Sequence, residues 1–232
     1  MADLARLREN LASVRGRIRA ASRASGRSED AVRHVAVTKT VDADAVRALY
    51  DLRERDFGES RAQEGVPKAE ALGLPAVRWH FIGHLQRRKV KRVLPLFGAV
   101  HSLDSLLLAE EMDRTARQLE RTVDVFIEVK TSEETGKTGL DPKLLPELVE
   151  AVSKMEGLCL QGLMTMAPFF EEPVKTRPYF ARLRGLKDEV SRRTGVALPE
   201  LSMGMTNDFE AAIAEGATVV RIGTALFQGV LG

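Results

Sequence analysis

Val35-Ala36-Val37-Thr38-Lys39-Thr40-Val41-Asp42 opens the regular part of the chain, and the turn after its apolar run separates two α/β architectures. An open, doubly wound sheet ordinarily carries a glycine-rich phosphate-binding turn after its first strand. Here that turn reads Lys39-Thr40-Val41-Asp42, with no glycine. Beyond it, β-branched or aromatic runs alternate steadily with amphipathic helical stretches, the rhythm of parallel βα units. We read strands over residues 34–39, 56–60, 78–83, 99–104, 123–131, 158–166, 200–205 and 219–224. Helices are expected near 43–53, 62–72, 85–97, 105–121, 142–155, 178–193 and 208–215. Eight strands is the number that closes a sheet on itself, so the expected fold is a single (β/α)8 TIM-type barrel.

Upstream of this run, Leu4, Leu7, Leu11, Val14 and Ile18 recur at helical spacing. They predict an N-terminal helix within residues 1–25 that packs on the barrel, as part of one domain spanning 1–232. The arginine-rich start has the composition of a transit peptide, but Asp3 and Glu9 argue against that reading. Nothing in the alternation marks a second domain, and no low-complexity tract or repeat interrupts it. Residues 131–139, rich in Ser, Thr, Glu and Gly, read as a mobile loop after the fifth strand.

The bulk composition excludes several classes. With 44% hydrophobic and 29% charged residues, the 232-residue chain can bury a sizeable core. A net charge of +2 leaves no strong field to steer it onto nucleic acid or an anionic membrane, so any anion site is local. No stretch approaches the roughly 18 apolar residues of a membrane span. A single cysteine, Cys159, rules out a disulfide framework and fits a reducing, cytoplasmic setting. Flanked by Leu158 and Leu160, it reads as a small buried hydrophobe.

Barrel active sites lie at the carboxyl ends of the strands, which makes strand-end residues the candidates. Lys39 ends the first strand, where partial burial would lower its pKa and supply the neutral amine that Schiff-base chemistry needs. Ser202-Met203-Gly204-Met205-Thr206-Asn207 follows the seventh strand, and Arg221-Ile222-Gly223-Thr224 ends the eighth. Loops at those two places form the usual phosphate site of such barrels: glycine admits close backbone approach, hydroxyls add bonds, and a helix starting near Asn207 would aim its positive end at the anion. Gly136-Lys137-Thr138 is not a phosphate loop, because position 131 is Thr where that pattern needs Gly. His80 and His84 could share a strand face, but with no Cys, Asp or Glu beside them in sequence, no metal is assigned. The basic run Arg87-Arg88-Lys89, with Lys91 and Arg92, reads as a solvated helix face.

Taken in order, Val-Ala-Val-Thr-Lys-Thr (35–40), Phe-Gly-Glu-Ser (57–60), Trp-His-Phe-Ile-Gly-His-Leu-Gln (79–86), His-Ser-Leu-Asp-Ser (101–105), Gly-Leu-Met-Thr-Met (162–166), Leu-Ser-Met-Gly-Met-Thr-Asn-Asp-Phe (201–209) and Val-Arg-Ile-Gly-Thr-Ala-Leu-Phe (220–227) resemble the pyridoxal phosphate homeostasis proteins. Those are relatives of the N-terminal barrel of alanine racemase. The resemblance implies pyridoxal 5′-phosphate (PLP) held as an internal aldimine on Lys39. It further implies a phosphate held by Ser202, Gly223, Thr224 and nearby backbone at Met203 and Gly204, with Arg221 facing the pyridine nitrogen. Ser60 stands where the family usually has Asn near the ring hydroxyl; Arg88 and Lys130 likewise replace Asn. A guanidinium donates to the ring nitrogen without lending it a proton, so the ring is a poorer electron sink.

Three functions remain open on the sequence. The preferred one is buffering and delivery of PLP, with PLP-dependent apo-enzymes as possible recipients and an influence on amino-acid and keto-acid balance. A weakly active PLP-dependent amino-acid racemase is the second. It would need a further acid/base, and the tyrosines, Tyr50 and Tyr179, fall on predicted helices. A cofactor-free Schiff-base lyase acting on a phosphorylated aldehyde is the third. A monomer is expected, with a dimer also allowed.

Overall fold

The computed structural model describes residues 3–133 and 138–230. Its strands are β1 (Arg33–Val37), β2 (Asp56–Glu59), β3 (Arg78–Phe81), β4 (Phe97–Leu103), β5 (Val123–Glu128), β6 (Leu158–Met164), β7 (Glu200–Met205) and β8 (Val219–Ile222). They pair in parallel in sequence order, and β1 against β8 closes the barrel, with Val35 opposite Arg221. Outside run α2 (Ala43–Asp51), α3 (Ala62–Leu72), α4 (Val90–Val93), α5 (Leu106–Gln118), α6 (Leu145–Val152), α7 (Arg177–Thr194), α8 (Phe209–Ala214) and α9 (Thr224–Phe227). The (β/α)8 architecture is the one the alternation predicts.

Strand side chains point alternately in and out, so each strand serves two cores. Outward residues such as Ala36, Phe57, Phe81, Phe97 and Ile222 join the helices in one large cluster. Inward, Val35, Phe126, Met164 and Val219 form a small apolar plug. Burying an aliphatic or aromatic side chain of this size contributes about 1.5–3 kcal/mol, which makes the outer cluster the main stabilising element.

The N-terminal helix is α1 (Leu4–Ala24), capped by Asp3, whose carboxylate accepts from the Arg6 N–H at 3.0 Å. Leu7, Leu11, Val14 and Ile18 are buried as its periodicity requires, whereas Leu4 is exposed. Asn10 Nδ2 donates to the carbonyls of Leu226 and Gln228 at 3.0 and 2.9 Å, fastening α1 beside α9.

Three expectations change. The helix expected over 85–97 shortens to a 3-10 turn at Arg87–Lys89 followed by α4, and β4 starts at Phe97. Pro95, which lacks an N–H, stops the helix. The fifth strand ends at Glu128; Val129 still donates its N–H to the Met164 carbonyl at 2.9 Å and forms an isolated bridge to Leu140, and the loop expected at 131–139 lies partly outside the described residues. Cys159 is exposed, not buried. It sits opposite Asp124 at the amino end of β6, where inward side chains look out of the open barrel floor.

That floor is ringed by charge. Arg33 pairs with Glu200 at 2.7 Å, Arg78 with Asp124, and Asp56 with His80 at 2.7 Å. Among the described residues no helix is long and apolar enough to cross a membrane.

Candidate functional site

At the opposite, carboxyl end of the strands lies a cavity of about 410 Å³ whose wall includes Lys39, Ser60, Arg221, Gly223 and Thr224. Thr40, Met205, Thr206 and Asn207 complete much of its rim. Segments far apart in sequence, after β1, β2, β7 and β8, therefore meet at one opening, joined by Ile82 and Gly83 after β3 and by Met166 after β6.

Each reaches it for a local reason. β1 ends at Val37, and the Thr38 side chain turns outward to the helix layer: its N–H donates to the Gly58 carbonyl at 2.9 Å and its hydroxyl to Glu59 Oε1 at 2.7 Å. Lys39 is thereby thrown out into the turn, exposed instead of partly buried as expected, with its amine on the cavity wall. After β8 the chain tightens at Gly223, where a Cβ would sit 3.3 Å from both the Cβ and the carbonyl oxygen of Val37. Thr224 then starts α9, where the sequence pattern predicts the end of a strand. Thr206 Oγ1 accepts from the Ala225 N–H at 3.3 Å, tying the segment after β7 to the segment after β8.

Ser202, Met203 and Gly204 are not on the cavity wall. Ser202 is fully buried below it, Met203 is part of the outer core, and Gly204 seats α8. At Gly204 φ is +93°, and a Cβ would stand 2.6 Å from Ala212 Cβ and 2.9 Å from Phe209 Cα. Glycine there answers to helix packing, so its presence in a turn-like string is an ambiguous sign of an anion site. Met205, Thr206 and Asn207, one to three residues later, provide the wall.

Arg221 is the charged group at the cavity base and is 4% exposed. Nη1 donates to Ser202 Oγ at 2.6 Å and Nη2 to the Thr165 carbonyl at 3.0 Å. Burial pushes its pKa down to about 10 against the opposing pull of Glu128 and Asp208, so it stays protonated at neutral pH. Burial likewise raises Glu128 and Asp208 above the usual carboxylate range.

Sequence reasoning missed what lies beneath Arg221. His101 Nδ1 is 2.8 Å from Ser202 Oγ, and His101 Nε2 is 2.9 Å from His80 Nδ1. Sequence spacing relates His80 only to His84, which is exposed and stands 3.4 Å from Asp104. Inward register on the adjacent strands β3 and β4 was the available signal for the His80–His101 pair.

An amine, a buried guanidinium, four hydroxyls, a side-chain amide and a glycine-bearing turn form this donor set. It fits a phosphate monoester that carries an aldehyde and a ring acceptor, the chemistry of PLP.

The family model described as alanine racemase, N-terminal domain, matches residues 2–230. The pyridoxal phosphate homeostasis protein of Aquifex aeolicus (strain VF5) is 44% identical over 219 residues, spanning 94% of this chain and 96% of the relative. That of Escherichia coli (strain K12) is 37% identical over 225 residues, 94% of each chain. Among solved structures, PipY of Synechococcus elongatus PCC7942 with PLP bound is 36% identical, with a TM-score of 0.84 over 95% of this chain and 99% of that one. An alanine racemase of Clostridium difficile 630, 17% identical, has a TM-score of 0.76 over 97% of this chain and 57% of its own, and shares the fold. The chain therefore belongs to the pyridoxal phosphate homeostasis protein family, within the wider alanine racemase N-terminal domain family.

Proposed function

We propose that the protein binds PLP covalently at Lys39 and serves intracellular PLP homeostasis, holding the cofactor and releasing it to PLP-dependent apo-enzymes. The observation that carries this reading is one cavity lined at once by the Lys39 amine, by Gly223 and Thr224, and by Arg221 at its base. PLP bound there supplies an aldehyde that condenses with an amine and a pyridine nitrogen that accepts a hydrogen bond. Ser202, Met203 and Gly204 contribute from below the wall, Ser202 by fixing Arg221 and Gly204 by seating α8. The Thr206 and Thr224 hydroxyls, the Asn207 amide and the turn at Gly223 line the cavity and would hold the phosphate, and Ser60 would lie on the side of the ring. Arg221, protonated at neutral pH, would donate to the ring nitrogen without lending it a proton.

Holding is favoured over racemisation by where the tyrosines lie. Tyr50 is on α2 under the Arg55 guanidinium at 3.9 Å, and Tyr179 is on α7 against Phe170 at 5.9 Å. Neither lines the cavity, so neither is placed to act as a second base there. Lys39, exposed on the rim, is open to an attacking amine from a recipient enzyme, which suits transfer.

The test is to incubate the protein with PLP, reduce with borohydride and map the modified peptide by mass spectrometry. The label is expected on Lys39 and is expected to vanish in Lys39→Ala. A label that persists in that variant, or none in the native chain, overturns the reading. Racemisation of an amino acid at an ordinary enzymatic rate, about 10 per second, would overturn the non-enzymatic assignment.

A further inference from the structure

Five buried or half-buried polar groups run along the barrel interior between its two ends. Asp56 Oδ1 on β2 is 2.7 Å from His80 Nε2 on β3, and His80 Nδ1 is 2.9 Å from His101 Nε2 on β4. His101 Nδ1 is 2.8 Å from Ser202 Oγ on β7, and Ser202 Oγ is 2.6 Å from Arg221 Nη1 on β8. His80, His101 and Ser202 are at most 1% exposed.

The direction of these bonds is forced from both ends. Arginine only donates, so Ser202 Oγ accepts from Arg221. A carboxylate only accepts, so His80 Nε2 must carry a proton and donate to Asp56. Burial, with the positive charges of Arg221, Arg33 and Arg78, holds His101 well below the ordinary histidine value, and burial also lowers His80 despite the opposing pull of Asp56. Both rings are neutral, with one proton each. His80 Nδ1 is then an acceptor, His101 Nε2 its donor, and His101 Nδ1 an acceptor whose donor is the Ser202 hydroxyl. Reversal would set a bare ring nitrogen against the Asp56 carboxylate at 2.7 Å. The charged neighbours agree: Arg33 and Arg78 with their partners Glu200 and Asp124 surround the Asp56 end, and Glu128 and Asp208 face Arg221.

We infer that His101 is a positioning residue for Arg221, acting through Ser202 in a one-directional chain that Asp56 and His80 orient. The His101 ring is stacked against Phe126, 4.4 Å between centroids and 23° from parallel, which holds its plane in line with its two partners. Its acceptor draws the Ser202 proton away from Arg221 and leaves a lone pair that fixes Nη1. With Nη2 held by the Thr165 carbonyl, the remaining N–H groups of the guanidinium are aimed by default. That they are aimed at the ring nitrogen of PLP rests on the function proposed above; the polarity of the chain does not.

Nitrogen-15 NMR of the cofactor-free protein tests the chain. His80 and His101 are expected as Nε2–H tautomers that stay neutral at and above the ordinary histidine value of about 6.5. The Arg221 Nη protons should be slowly exchanging in the native protein and in His101→Gln, whose amide offers an acceptor and a donor. They should exchange fast in His101→Met and in Ser202→Ala, the latter removing one oxygen and leaving the ring pair intact. With PLP added, His101→Met and Ser202→Ala should shift the visible band and weaken binding roughly tenfold, while His101→Gln keeps the native band. An Nδ1–H tautomer on either ring, or Arg221 protons indifferent to both disruptive variants, overturns the inference. Failure of the native protein to bind PLP would remove the proposed function, while the tautomers and exchange rates of the cofactor-free protein would still decide the polarity of the chain.

Discussion

Lys68 Nζ lies 2.8 Å from Glu59 Oε1 and 2.8 Å from the Thr38 carbonyl oxygen, directly behind the turn that carries Lys39. A second amine therefore stands beside the cavity, but its charge is committed to a buried carboxylate and its hydrogen bonds hold the turn. Removing it would strand Glu59, which is fully buried and whose Oε2 has no partner among the described residues. Breaking a buried pair on one side typically costs 3–5 kcal/mol, whereas replacing an exposed side chain costs within about 0.5 kcal/mol. Lys68→Met should lower unfolding stability by roughly 3 kcal/mol in urea titrations, and Lys39→Ala should leave it nearly unchanged while abolishing the borohydride-fixed label. Equal stability losses in the two variants would contradict this division of labour.

Gly204 should tolerate no side chain. Its φ of +93° already disfavours one, and the added Cβ would press on the backbone of α8 at Phe209 and on Ala212. Gly204→Ala should cost at least about 2 kcal/mol, combining the backbone penalty with overpacking. Because α8 follows directly on Met205, Thr206 and Asn207, the variant should also weaken PLP binding. A variant as stable as the native chain would show that α8 is free to shift.

The barrel was legible because its signal is distributed: most strands carry a run of apolar or β-branched residues, and the absent glycine after Val37 removed the rival. Local ends were less so. Lys39 reads in sequence as the last residue of a partly buried strand, but Thr38 finds its partners on β2, and β1 stops at Val37. The strings Ser202–Asn207 and Arg221–Thr224 were recognisable as a site, yet which of their residues face the cavity depends on inward or outward register, and an irregularity between β7 and β8 shifts that register. His101 was invisible as a functional residue since its partners lie on other strands. No sequence spacing brings Asp56, His80, His101 and Ser202 together; only closure of the sheet does.

Two neutral buried histidines make stability depend on pH in a definite direction. Burial holds His80 and His101 below the ordinary value of 6.5 in the folded chain. The unfolded chain therefore takes up protons that the folded chain refuses. Their contribution is fully present above about pH 6.5 and is lost as the pH falls toward their folded values, with each proton adding about 1.4 kcal/mol per pH unit. Burial acts to raise Asp56, but its hydrogen bond from His80 and the charges of Arg33 and Arg78 outweigh it and hold Asp56 below its ordinary value, which extends the loss to lower pH. Denaturation at about pH 7.5 and about pH 5.5 should show a marked loss that the His80→Gln, His101→Gln double variant flattens. An equally steep slope in the double variant would place the titrating groups elsewhere.

Ser60 offers a gain instead of a loss. It lines the cavity, and its backbone is pinned by Gly83, where a Cβ would lie 2.1 Å from the Ser60 carbonyl oxygen. With the backbone fixed, a longer amide side chain at this position extends into the space the cofactor ring would occupy, where the family resemblance places an Asn. One added neutral hydrogen bond contributes about 1 kcal/mol, or roughly fivefold in affinity. Ser60→Asn should therefore tighten PLP binding by about that factor in an absorbance titration, while Gly83→Ala, which displaces the same backbone, should weaken it. An unchanged or weaker affinity in Ser60→Asn would mean that the ring does not approach β2, and the orientation of the cofactor between Lys39 and Arg221 would have to be turned about the axis joining them.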